Sequence, residues 1–277
     1  MTGLGLFVAL AVGVTLAMSG ATGVRTTQAL IAQRSEAVLD ALDRRLKERL
    51  GPIDEQANWI VQSVASGRVD LSDLDRLDAF MFGALGSLPQ IESVAIVDPI
   101  GEIRRWSRAA PRAVVEDWSE RKEVIDWLTA GRSRSQPTWR PPLWTQTGRV
   151  AALLHDAPLR RDGRFVGMLG QIVPLERLSE DLAEFAVETG VTPFVLYGPD
   201  RVLAHPLLVH DEGDESRVDP LPSLRELGDP VLARIRTPDV VSPFGLRALS
   251  RSKAVLARVG GTRYVFLTRD MGHIGPN

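Results

Sequence analysis

The side chains able to do chemistry in this chain are few, and most are set apart from one another. Its histidines are His155, His205, His210 and His273, and it has no cysteine. Without cysteine there is no thiolate metal site, no disulfide and no cysteine nucleophile. A zinc site would need several histidines to converge, and His205 and His210, at i and i+5, have no ligand spacing on a regular element. No metal and no cofactor is therefore expected. His155 and Asp156 are neighbours on a strand, so their side chains point to opposite faces and cannot work as a dyad. The sequence contains no HExxH, no GxSxG, no GxxxxGK[ST] and no GxGxxG after a strand. The chain is accordingly not expected to be an enzyme in itself. His205 closes the stretch TPFVLYGPDRVLAHP, and Pro206 after it cannot donate to a strand ladder, so His205 reads as the end of a strand.

One segment does suggest binding. SRSQPTWRPPLWTQTG, Ser133 to Gly148, sets Trp139, Arg140 and Trp144 beside Pro137, Pro141 and Pro142. It is a stiff aromatic and cationic stretch with little entropy to lose on ordering. Arg104 and Trp106, on a nearby hairpin, are expected to face the same space. Aromatic walls with an arginine suit a small organic anion, which needs an apolar contact and a charge-assisted bond. Asp70, Asp73, Asp75 and Asp78 lack the central glycine and terminal glutamate of a calcium loop and read as helix capping on a solvated face.

Composition narrows the partners. The 277 residues are 44% hydrophobic and 25% charged with a net charge of −2, ordinary for globular protein and without the basic footprint a nucleic acid requires. From Gly3 to Val24 there is no charged side chain, about the length of helix that crosses a hydrocarbon core of roughly 30 Å. A transmembrane helix over 1–24 is expected, with a signal peptide cleaved near Ser19 to Gly23 or a buried soluble helix as the alternatives. No basic residue precedes the run, which also suggests that Met1 is not the native start.

Leu39, Leu42, Leu46, Leu50, Ile53, Ala57, Ile60 and Val64 follow at gaps of three and four, the stripe of a long amphipathic helix. This predicts a stalk helix over 25–66, kinked at Pro52. A helical piece is expected around Glu116 to Thr129, and another over Glu176 to Thr189. Four hairpins are predicted from apolar runs broken by turn residues: ESVAIVDPIGEIRRWS, AALLHDAPLRRDGRFVGMLGQIVPL, TPFVLYGPDRVLAHP and AVLARVGGTRYVFLTRD. The order of elements recurs, predicting an α+β chain of two modules, each a twisted antiparallel sheet with helices and long loops. Asp211 to Pro243 reads as a surface excursion of the second module.

A membrane helix, a stalk helix and two hairpin modules together resemble the double Cache family, PAS-like extracytoplasmic sensor domains of bacterial transmembrane receptors. The landmarks are VAIVDPIGEI, PTWRPPLW, APLRRDGRFVGMLGQIV and FVLYGPDRVLAHP. TPFVLYGPDRVLAHP and LPSLRELGDPVLARI also resemble the sensor part of membrane-bound class III adenylate or guanylate cyclases. The resemblance implies a ligand-binding, membrane-distal module over 67–189 and a membrane-proximal module over 190–277, truncated at its C-terminus. It implies a homodimer in the bacterial inner membrane, with most of the chain in the periplasm. A small molecule would bind at Arg104, Trp106, Trp139, Arg140, Trp144 and Gln171 and signal to a cyclase output domain. A histidine-kinase or chemoreceptor sensor, or an anchored periplasmic enzyme or adaptor, are the alternatives. The amino-acid-sensing subgroup has an Arg-x-Trp-Tyr stretch and a strand aspartate. Here SERKEVIDW and MLGQIV stand instead, with Gln171 in place of that aspartate, so recognition of an α-amino group does not carry over.

Overall fold

The computed structural model describes residues 6–12, 23–145, 150–209, 218–241 and 252–271. Strand β1 (Leu6–Val12) is followed by helix α1 (Gly23–Ala65), which runs through Pro52. All eight residues of the predicted stripe, Leu39 to Val64, are at most 4% exposed. The 3.6-residue period thus sets one buried face along the helix. Helix α2 (Leu74–Ser87) begins at Asp73, whose carboxylate accepts from the Arg76 amide, so this aspartate caps a helix as its position suggested.

The chain then forms two compact units. One comprises Glu48–Thr145 and Ala152–Pro174, and so includes the C-terminal part of α1. Its elements after α2 are β2 (Ser93–Val97), β3 (Glu102–Ser107), β4 (Val114–Asp117), α3 (Lys122–Ser133), β5 (Thr138–Trp139), β6 (Leu143–Trp144), β7 (Ala151–Arg161) and β8 (Arg164–Pro174). They make an antiparallel sheet in the order β4-β3-β2-β8-β7-β5, with β6 also on β7. The β7–β8 hairpin turns on Asp162 and Gly163, at φ of 51° and 75°, the left-handed pair that an Asp-Gly turn supplies. Gly167 on β8 has φ of 144°, and a Cβ there would lie 2.4 Å from the Val97 carbonyl oxygen. Only glycine lets β8 approach β2 at that point.

The other unit holds the first part of α1, to Lys47, and the chain from Leu175 onward. Its elements are α4 (Leu175–Thr189), β9 (Thr192–Tyr197), β10 (Arg201–Ala204), β11 (Val240–Val241), β12 (Lys253–Val259) and β13 (Thr262–Asp270), with 3-10 turns at Pro206–Leu208 and Leu232–Arg234. The sheet order is β10-β9-β1-β13-β12-β11. Phe194, Leu196, Val202, Leu224, Leu232, Ala257 and Phe266 form its core, with the Phe194 and Phe266 rings edge to face at 6.5 Å. Arg45 of α1 bonds Glu184 and Glu188 of α4 at 2.7 and 3.0 Å. Arg269 of β13 bonds Glu36 and Asp40 of α1, each at 2.5 Å.

Several expectations are corrected. Within 1–24, Leu6–Val12 is a strand between β9 and β13, not part of a membrane helix. No helix among the described residues is long and apolar enough to cross a membrane. A short apolar run rich in Val with a Phe satisfies a central strand as well as a helix, and periodicity does not separate the two. The helix placed around Glu116–Thr129 starts only at Lys122, because Val114–Asp117 pairs with β3 as an edge strand. The boundary expected after Thr189 falls at Pro174, and α4 belongs with the strands that follow it. The two sheets also differ in one respect. Where β2 pairs directly with β8, β1 lies between the corresponding β9 and β13.

Candidate functional site

The candidate site lies in the Glu48–Pro174 unit, and the alternation of β7 divides its residues between two faces of the sheet. Register across the strands puts Trp139, His155, Gln171, Val94 and Trp106 in one row, hence on one face. That face packs on α1 and α2. His155, 0% exposed, lies 2.6 Å from Asp54 through Nε2, and its Nδ1 is 3.0 Å from the Gln171 side-chain oxygen. Gln171 donates to the Gln56 side-chain oxygen at 2.8 Å, and Gln56 donates to the Ala84 carbonyl and the Ser87 hydroxyl at 2.8 and 2.9 Å. The Trp139 ring packs on His155 with centroids 4.7 Å apart. Trp106 is fully buried and donates from Nε1 to Asp78 at 2.9 Å, and Arg104 pairs with the same carboxylate at 3.5 Å.

On the opposite face, Asp156 and Gly170 lie under α3. Val124 and Leu128 of α3 join Ala95, Val97, Ile103 and Met168 in an apolar cluster. Beside it sits a buried carboxylate. Asp156, 0% exposed, accepts from Trp127 Nε1 at 2.5 Å, pairs with Arg134 Nη2 at 2.7 Å and has Arg140 Nε at 3.8 Å. A bare carboxylate does not survive such burial, and two guanidinium groups and an indole N–H offset its desolvation. Arg140 is fixed by its backbone amide, which donates to the Leu154 carbonyl at 2.8 Å. Trp127 lies over Gly170, where a Cβ would meet its ring at 3.3 Å. A buried ionic cluster with an aromatic wall can hold a small polar molecule by charge and by stacking.

No family model and no curated protein matches this sequence. Its likeness is to solved structures. The ligand-binding domain of the Campylobacter jejuni chemoreceptor Tlp3 in complex with L-valine superposes with a TM-score of 0.50 at 11% identity, covering 90% of this chain and 94% of that one. A structure of the sensory domain of the same receptor gives a TM-score of 0.50 at 10% identity, with the same coverage. This is the double Cache fold. At such identities it is the fold alone that is shared, and this chain's own residues must speak for its site.

They divide the predicted set. Arg104, Trp106, Trp139 and Gln171 lie on the α1-facing side of the sheet, while Arg140 reaches Asp156 on the α3 side. Trp144, on β6, is half-buried. The predicted common space for Trp106 and Arg104 with the Trp/Pro loop is replaced by pairing of both residues with Asp78. Sequence reasoning missed Trp127, Arg134 and Asp156 as a group. The available signal was an aspartate inside the apolar run AALLHDAPL, which demands a cationic partner. The separation of His155 from Asp156 is as alternation requires.

His205 is 2% exposed and follows the last residue of β10. Its Nδ1 accepts from the Leu207 amide at 3.1 Å, capping the 3-10 turn, and its own amide donates to Ser179 Oγ at 3.4 Å. Burial pushes its pKa down to about 4, against the opposing pull of Asp229, 3.6 Å from Nε2. It is a neutral capping residue. His210 and His273 lie outside the described residues, and no group of three or more metal-ligating side chains occurs among those described.

Proposed function

We propose that this chain is the extracytoplasmic input domain of a bacterial transmembrane receptor, binding a small molecule on the α3 side of the Glu48–Pro174 sheet. The observation that carries the reading is the Asp156 cluster: a carboxylate, two arginines and an indole gathered on one face of a sensory-domain fold, with no catalytic constellation among them. Arg140 is the member of the predicted set that belongs to the site, with Trp144 on the neighbouring strand as its second candidate wall. Signalling requires only that the ligand bind two states of the receptor with different affinity. In the finer form of the proposal the Glu48–Pro174 unit is membrane-distal, the receptor is a homodimer in the inner membrane and its output is a nucleotide cyclase. The membrane part rests on the likeness to the ligand-binding and sensory domains of a chemoreceptor.

A thermal-shift screen of carboxylates, amines and purines against the purified chain tests the binding claim. A ligand at about 100 times its Kd stabilises the bound state by about 2.7 kcal/mol, a rise of roughly 5 °C or more in Tm. The expected result is a stabilising compound whose effect is lost in Arg140→Gln and reduced in Trp127→Phe. A library without a hit, or hits indifferent to both substitutions, defeats the proposal.

A further inference from the structure

We infer that the site on the α3 face takes a small organic monoanion without an ammonium group, held at Arg134, with Asp156 acting as the fixed counter-charge of that arginine. The inference rests on the sensor reading above and assigns its ligand class. It starts from what is left unsatisfied. Arg134 follows α3 as its C-cap, and its Nε, Nη1 and Nη2 are all buried with no hydrogen-bond partner among the described residues. Its contact with Asp156 is close, at 2.7 Å, yet Asp156 Oδ1 also has no aligned hydrogen bond. A guanidinium offers five N–H donors in a planar fork. Leaving buried donors unpaired is costly, and an acceptor anion is what relieves it.

Charge points the same way. Arg134 and Arg140 face one carboxylate, which leaves the cluster one positive charge in excess. Asp156 already has Trp127 Nε1 on one oxygen and Arg134 against the other. An ammonium would have to displace one of them and then sit beside two guanidinium groups, whereas a monoanion completes the charge balance. The Arg140 side chain keeps 37% exposure, so the cluster reaches the surface on that side. The Trp127 ring over Gly170 supplies a flat apolar contact, which suits an aromatic or short aliphatic body.

Calorimetric titration of the full chain with benzoate, benzylamine and L-valine tests this. Benzoate should bind at least about tenfold more tightly than the other two, as expected for charge-assisted bonds. Its affinity should fall at least about tenfold in Arg134→Gln, and also in Arg134→Lys, which keeps the charge and loses the fork. The Lys variant decides the matter if the Gln variant does not fold. Stronger binding of benzylamine or L-valine, or benzoate binding unchanged in the Arg134 variants, overturns the ligand class and leaves the sensor reading standing. If benzoate does not bind but a neutral compound from the broad screen does, the anion inference likewise fails alone. Absence of any ligand in both experiments fails both.

Discussion

Lowering the pH should destabilise the unit containing His205 by an amount that this one residue accounts for. His205 is buried against the Ser179 hydroxyl of α4 and faces one charged group, Asp229, before the Leu232–Arg234 turn. Its pKa falls from the ordinary 6.5 to about 4 because desolvation outweighs that carboxylate. Between these values the unfolded chain binds the proton and the folded chain does not, so stability is full above pH 6.5 and declines as pH falls, levelling off below about 4. Each unit of pKa difference corresponds to about 1.4 kcal/mol, so the loss is about 2 kcal/mol from pH 7 to pH 5 and about 3 kcal/mol by pH 4. His205→Asn keeps an acceptor for the Leu207 amide and removes the titration. Urea unfolding followed by far-UV circular dichroism, at pH 7 and pH 5, should show that extra loss in the wild type and not in the variant. Equal losses in both, or an imidazole NMR titration centred near 6.5, would refute the reasoning.

Two other outcomes follow from close packing and buried charge. Gly167→Ala places a methyl 2.4 Å from the Val97 carbonyl oxygen at a φ of 144°, and should lower stability by about 2 kcal/mol or more, read as a reduced urea midpoint. Arg269→Met removes the partner of Glu36 and Asp40, whose side chains are 23% and 48% exposed. Partial solvation of both carboxylates limits the loss to about 2 kcal/mol, and adding Glu36→Gln to the variant should recover part of it.

Most of the architecture was legible because it follows from short-range rules. The α1 stripe, from Leu39 to Val64, is buried residue for residue as its spacing requires. The four hairpins turn where glycine, proline and aspartate interrupt apolar runs. What sequence could not supply is the partner of each strand. Thr138–Trp139 looked like part of a proline-stiffened loop, yet it pairs with β7 at Asp156 and His155. Once that pairing exists, the alternation that separates His155 from Asp156 also separates Trp139 from Arg140, and the predicted aromatic-cationic pocket divides. Trp106 was lost for a related reason. Its burial depends on Asp78 from α2, an aspartate whose own context suggested only a solvated face. The strand at Leu6–Val12 exposes the same limit from the other side, since both a bilayer and a sheet interior accept seven uncharged residues.

The division of β7 gives the proposed sensor a physical link between ligand and helix. Asp156 belongs to the candidate site, and the residue before it in the chain, His155, belongs to a buried polar chain that ends on α1 at Asp54 and Gln56. Those polar groups are costly to bury unpaired, so His155, Gln171 and Gln56 hold their bonds only in one register of α1 along the sheet. A slip of one helical turn would break all of them, whereas an apolar interface would resist it less. A ligand at Arg134 alters the force on Asp156, and the backbone between Asp156 and His155 is a single peptide unit. In the proposed sensor a displacement of Asp156 would reach α1 through these bonds. In such an arrangement the helix responds only as far as the ligand prefers one register over another, and under the proposed sensor reading Gln171, though remote from the anion, would act as a positioning residue.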